Sequence, residues 1–151
     1  MLSRKPLTDL LISTLASGLG KPVGDSTTPT ETYGWTGQPD APGSTFIPYI
    51  IVTPGSTTNI KGPLSDTHAD INLPYQVSGF GVTRAQCEWI MDASRDILDT
   101  LKRTDVVAGS ETYRLSDISL STLGGVARGN VGEYEVFGQT DIMNIFASKQ
   151  L

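Results

Sequence analysis

Gly79-Phe80-Gly81, followed by Thr83-Arg84, is the stretch of this chain whose spacing comes nearest to phosphate chemistry. A strand that passes through a glycine turn into a helix offers free backbone N–H groups to an anion. A dinucleotide fingerprint, however, wants a third glycine where Arg84 stands. A P-loop wants Gly-Lys-Ser/Thr at the helix start, and the chain has no such triplet. Thr83-Arg84-Ala85-Gln86 has capping-box spacing, so the Thr83 hydroxyl and the Gln86 side chain compete for the same orphan donors. The stretch therefore reads as a strand-to-helix corner. Anion binding through the helix dipole and Arg84 is the competing reading.

Asp66-Thr67-His68-Ala69-Asp70 is the next candidate. In an extended chain Asp66, His68 and Asp70 fall on one side, a possible ligand set for a divalent ion. His68 is the only histidine and its surroundings are polar loop, so solvated charge is the expectation. Asp92, Asp96 and Asp99 share a helical face, but Arg95, Lys102 and Arg103 are interleaved with them. General acid catalysis needs a carboxyl in a dry setting, which this face does not promise. No serine sits in a Gly-x-Ser-x-Gly elbow, and Cys87 lies inside the best helix as a small packing residue. The sequence is read as holding no catalytic, cofactor or metal site.

The totals bound the class. A chain of 151 residues most often forms one domain that buries roughly 70% of its unfolded surface. Gly 16 and Pro 9 point to a loop-rich, sheet-containing fold. A net charge of -5 argues against a protein that grips nucleic-acid phosphates, which needs clustered cations. One cysteine excludes an internal disulfide and fits a reducing compartment. No apolar run approaches the ~20 residues of a membrane span. The segment Leu7 to Ala16 is interrupted by Thr8, Asp9, Ser13 and Thr14, which suits an amphipathic helix rather than a signal peptide.

The elements that must position these residues follow from periodicity. Ser3 is placed to cap a first helix with Pro6 in its opening turn. Leu7, Leu10, Leu11, Thr14 and Leu15 form its stripe, and Gly18 and Gly20 end it. Residues 21–44 form a long polar connection carrying Tyr33 and Trp35. Thr45 to Thr53 reads as a strand with Pro48 at its start or at an edge, and residues 53–70 form a second long loop. Ile71 to Gly79 is a further strand. The second helix starts at the Thr83 cap and runs to about Arg103, with a staple of Val82 and Cys87. Its apolar side is read as Ala85, Trp89, Ile90, Ala93, Ile97, Leu98 and Leu101, with Asp92/Arg95 and Asp99/Arg103 at pairing distance. Glu111 to Leu120, Val131 to Phe137 and Asp141 to Ala147 read as three strands, turned at Gly124-Gly125 and at Gly138 to Thr140. The sum is an α+β fold: one mostly antiparallel sheet, two helices on one face, and long loops.

The stretch Gly62-Pro63-Leu64-Ser65-Asp66, then Asp70, then Leu73 to Trp89, carries a resemblance. It resembles the tail terminator (tail completion) proteins of long-tailed bacteriophages, especially those infecting actinobacteria. Tyr75-Gln76-Val77, Thr83-Arg84-Ala85-Gln86, Glu88 and Trp89 match that pattern, whereas Ser78-Gly79-Phe80 and Cys87 depart from it conservatively. Looser similarity runs over the leading helix, the Pro48-Tyr49 strand and the closing hairpin after Val131. The resemblance implies that residues 1–151 form one domain of this type, assembled in the host cytoplasm into a closed ring, commonly a hexamer. The ring would sit at the head-proximal end of the virion tail. There it would stop growth of the major tail tube protein and present a surface to the head-tail connector protein, while genomic DNA passes through its lumen without specific binding.

A ring needs heterologous contacts between copies. Tyr33, Trp35, Ile60, Lys61, Asp66 and His68, in the two long loops, are the candidate contacts to neighbouring subunits or the tube. No membrane partner is expected. Two other readings stay open at this point: a head-closure or connector adaptor of the virion, and a small nucleotide- or anion-binding domain at Thr83 to Gln86.

Overall fold

The computed structural model describes residues 4–29, 48–55, 58–59, 71–108, 110–131 and 134–150. Two helices, α1 (Lys5–Leu19) and α2 (Arg84–Asp99), accompany seven strands. These are β1 (Val23–Asp25), β2 (Tyr49–Pro54), β3 (Thr58–Asn59), β4 (Ile71–Gly81), β5 (Thr104–Ala108), β6 (Glu111–Val131) and β7 (Tyr134–Gln150). They form one sheet in the order β1-β2-β4-β7-β6-β5, with β3 on β4 beyond the end of β2. Every pairing is antiparallel except β1 with β2. The α+β class expected from the sequence is the fold observed.

Period-two alternation sends Ile50, Val52, Leu73, Tyr75, Val77, Leu115, Met143 and Ile145 to one face of the sheet. There they close a single core with Leu7, Leu11 and Leu15 of α1 and Cys87, Ile90, Met91 and Leu98 of α2. Both helices therefore lie on this face. Thr8 is also buried there, and its hydroxyl bonds the Tyr75 hydroxyl at 2.9 Å, so the one buried polar side chain of α1 has a partner. The helix α1 has Pro6 in its first turn and ends at Gly20, which takes the left-handed conformation at φ 63°. Its N-cap position is Arg4, with no side-chain cap bond; Ser3 lies outside the described residues.

Arg4 instead fastens a break in the sheet. Pro74 falls inside β4, a strand with neighbours on both sides. It is tolerated because the ladder to β2 begins only at Tyr75, opposite Pro54, and the ladder to β3 covers Ile71 and Asn72. The Arg4 guanidinium donates to the carbonyls of Gly55 and Pro74 at this gap, and lies over the Tyr75 ring at 4.3 Å. Pro48 immediately precedes β2, as a proline at a strand start should.

Five expectations are corrected. The second helix stops at Asp99, because a turn follows and Arg103 takes φ 61°. Asp92 and Arg95 pair at 2.9 Å as expected, but no Asp99/Arg103 pair forms, and Lys102 reaches Asp117 at 3.3 Å. The apolar side of α2 is also rotated from the one read in the sequence. Of the expected side, Ile90 and Leu98 are buried and Ile97 and Leu101 pack against the core, but Ala85 and Trp89 face outward, and Cys87, Met91 and Ser94 are buried instead. Val82 packs with Tyr49 and Val136 on the opposite side of the sheet, so it forms no staple with Cys87. Finally, the C-terminal part holds two long strands rather than three short ones. Gly124-Gly125 lies in a bulge within β6, with Gly124 at φ 66°, and Gly138 to Thr140 pairs along β4 in the middle of β7. The short strands β1, β3 and β5 were not read from the sequence.

Candidate assembly surfaces

The Gly79-Phe80-Gly81 corner is closed by its own bonds. The Thr83 hydroxyl accepts from the Gln86 N–H at 3.1 Å, and the Gln86 side-chain oxygen accepts from the Val82 N–H at 2.7 Å. This is the reciprocal arrangement that the Thr83/Gln86 spacing predicts, shifted by one residue at its second bond. The glycines serve close approach. A Cβ at Gly81 would stand 2.7 Å from the Cys87 nitrogen, and one at Gly79 would stand 2.5 Å from the Met91 sulfur. The first turn of α2 thus packs directly on Gly81, and Met91 packs on Gly79. The Cys87 thiol donates to the Gly79 carbonyl at 3.6 Å, and burial pushes it up to about 11, which makes it a poor nucleophile at neutral pH.

A charged cluster joins α2 to the sheet. Asp141, 1% exposed, receives Arg95 through Nε–H to Oδ2 at 2.7 Å and Nη2–H to Oδ1 at 2.9 Å. Arg95 also donates to Asp92 at 2.9 Å and to Thr122 and Gln139 at 3.3 Å each. Its own hydrogen bond to Asp141 raises the Arg95 pKa further, so the guanidinium stays charged. The Nε, Nη1 and Nη2 groups of Arg95 each donate to another member of the cluster, which ties α2 to β6 and β7. The remaining aspartates of α2, Asp96 and Asp99, are exposed. Among the described residues no three metal-ligating side chains converge.

Elsewhere lie a second, small buried cluster and two outward features, the distal β6 and Trp89. At one end of the helix-free face of the sheet, Tyr49 stacks on Phe80 with ring centroids 5.0 Å apart, beside Val136, Ile51 and Val82. Burial raises the pKa of the Tyr49 hydroxyl. The distal part of β6, from Ser119 to Asn130, is exposed or half-buried throughout, with Leu123 54% exposed. Beyond Leu115, β7 is its only strand neighbour among the described residues. Arg128 forms a cross-strand pair with Glu135 at 3.2 Å and lies 5.6 Å over Phe137. Trp89, 49% exposed, stands on the outer face of α2.

Of the contacts expected from sequence, Tyr33, Trp35, Ile60, Lys61, Asp66 and His68 all lie outside the described residues. The outward surfaces that are described, Trp89 and the distal β6, were missed. Trp89 was assigned to the core by spacing alone, and β6 was divided at its bulge. A signal was present for the first: Trp89 is flanked by Glu88 and followed by Asp92 and Asp96, a polar neighbourhood for a core residue.

No known protein family's profile matches this chain, and no curated protein matches it. Among solved structures it is similar to a chain that carries no descriptive name, at 13% identity and a TM-score of 0.48, over 100% of this chain and 98% of the other. It is also similar to a chain from the virion of a native gene transfer agent particle, at 16% identity and a TM-score of 0.43, over 89% of this chain and 84% of that one. No helix among the described residues is long and apolar enough to cross a membrane.

Proposed function

We propose that this protein is a structural subunit of a virion, without catalytic turnover, that closes into a hexameric ring at the head-proximal end of a tail tube. In this reading the ring ends polymerisation of the tube protein and offers the joining surface to the head connector, and DNA passes through its lumen. One observation carries the reading most directly. The residues that resemble tail terminators, Tyr75 to Trp89, form one continuous unit: a central strand, a self-bonded corner and a capped helix. At the corner the Thr83 hydroxyl and the Gln86 side-chain oxygen are taken up by the chain's own N–H groups. The nucleotide-binding alternative would require those groups to be free.

The distal β6 suits the same role. A long strand with a second edge open among the described residues is a template for contact with another chain. The chain's net charge of -5 fits a lumen that does not hold DNA.

The test is direct. Purified protein is mixed with growing tail tubes, which are then imaged and measured for length. The reading expects density at one tube end and shorter, uniform tubes. Tubes of unchanged length with bare ends would refute it. Native mass measurement should give a hexamer, either free or templated by tubes. Thermal stabilisation by ATP or by divalent cations would instead favour a ligand-binding domain, and binding to connector rings without any effect on tubes would favour an adaptor of the head.

A further inference from the structure

Trp89 interrupts the polar face of α2. The residues of this helix that meet the sheet are Cys87, Ile90, Met91, Ser94 and Leu98, and Trp89 stands on the opposite side, 49% exposed. Ala85 lies one turn before it and Ala93 one turn after it. An indole between two methyl groups makes a ridge with a shallow notch on each side, and an aromatic of this size brings ~150–250 Å² of surface to any contact that covers it.

The charges on this helix run against its own dipole. Arg84 is in the first turn and Asp96 and Asp99 are at the end, with no acid in the first turn and no base in the last. A helix favours the reverse, anions at its N-terminus and cations at its C-terminus. Arg84 reaches only Glu88, at 3.0 Å, with both side chains exposed. Asp92 is taken by Arg95. Asp96 and Asp99 make no ion pair among the described residues.

We propose that the outer face of α2 is a two-fold self-association surface, on which the α2 of a second copy packs antiparallel. With the axis at the level of Met91, each Trp89 meets the Ala93 notch of the other copy. The Asp96–Asp99 end of each helix then approaches the Thr83–Arg84 end of the other. The arrangement answers both misplaced charges at once, placing carboxylates at a helix N-terminus and an arginine near a C-terminal end. A foreign basic segment would answer Asp96 and Asp99 but leave Arg84 with only its exposed pair to Glu88, whereas a second copy of this chain supplies both signs, so the charge pattern favours a second copy. The contact is isologous, unlike the head-to-tail contacts of a closed ring, and it does not depend on the ring reading. Two helices meeting through one tryptophan each bury less than the ~1,200 Å² of a standard interface. The pair is therefore a weak one.

Sedimentation equilibrium of the full chain over a concentration series tests this. The wild type should show a monomer–dimer equilibrium, and Trp89→Ser should raise its dissociation constant by about tenfold or more. Arg84→Glu and Asp96→Arg should each weaken the pair, and the two reversals combined should restore it. All three positions are exposed, and circular dichroism checks that each variant is folded; should Trp89→Ser fail to fold, the charge reversals decide. A wild type that stays monomeric at every concentration overturns the proposal. So does a dimer unaffected by Trp89→Ser, or a double reversal no better than the weaker single variant. Loss of the pair with tube capping intact supports the inference and leaves the ring reading standing.

Discussion

The two halves of β6 differ in what holds them. From Thr112 to Ile118 the strand has β5 on one side and β7 on the other over its first residues, and it sends Tyr113, Leu115 and Ile118 into the core beneath the helices. From Ser119 to Asn130 the same strand buries no residue, and β7 alone pairs with it among the described residues. The first half is held by packing and by its ladder, and the second by its ladder almost alone. Strand length here is set by pairing, and stability is set by burial. A strand can outrun the core that stabilises it, and what projects is available to other molecules.

Arg95 stands at the boundary, where it bonds Thr122 and Asp141 on neighbouring strands. Arg95→Ala leaves the Asp141 carboxylate buried without its partner and should destabilise the fold by about 3–5 kcal/mol, read by urea unfolding. A smaller loss would mean that water reaches Asp141 and that the boundary is less dry than its geometry implies. On the packed side, Ile145→Ala should lower stability by about 2–5 kcal/mol in the same measurement. Gly81→Ala drives a methyl against the backbone of Cys87 and should lower the melting temperature by the equivalent of about 1–3 kcal/mol. Thr83→Ala removes the α2 cap bond and should reduce stability by about 1 kcal/mol. On the projecting side, Leu123→Ser should change stability by no more than about 0.5 kcal/mol. If Leu123→Ser proved as damaging as Ile145→Ala, the distal strand would belong to the folded core and the contrast would fail.

The helical parts were legible because local chemistry specified them. The α1 stripe of Leu7, Leu11 and Leu15 and the Thr83/Gln86 cap each announce themselves within a few residues, and each is present in the structure. The rotation of α2 was misread because Ala85, Trp89 and Ala93 are apolar at helical spacing, and spacing alone cannot tell an inner stripe from an outer one. Met91 packs tightly on the sheet, since its sulfur lies 2.5 Å from where a Cβ on Gly79 would be. The division of β6 and β7 into three strands failed for a related reason. Glycines read as turns are also compatible with a bulge or with a mid-strand position, and the long ladders with β4 and β6 keep Gly138 extended. Of the candidate site, the Thr83/Gln86 capping bonds follow from the spacing, whereas the outward placement of Trp89 is signalled only by its polar neighbours Glu88, Asp92 and Asp96.

What the amino-acid order determined by itself, then, was whatever rests on neighbours within one or two turns: two amphipathic helices, a capped corner and a mixed class with an antiparallel sheet. What the tertiary structure decided was which side of α2 faces inward, where Pro74 can sit in a central strand, and which half of β6 is left in water. Those outcomes depend on pairing and packing between residues far apart in the chain, such as Pro74 with Arg4 and Arg95 with Asp141, and no local window contains both partners.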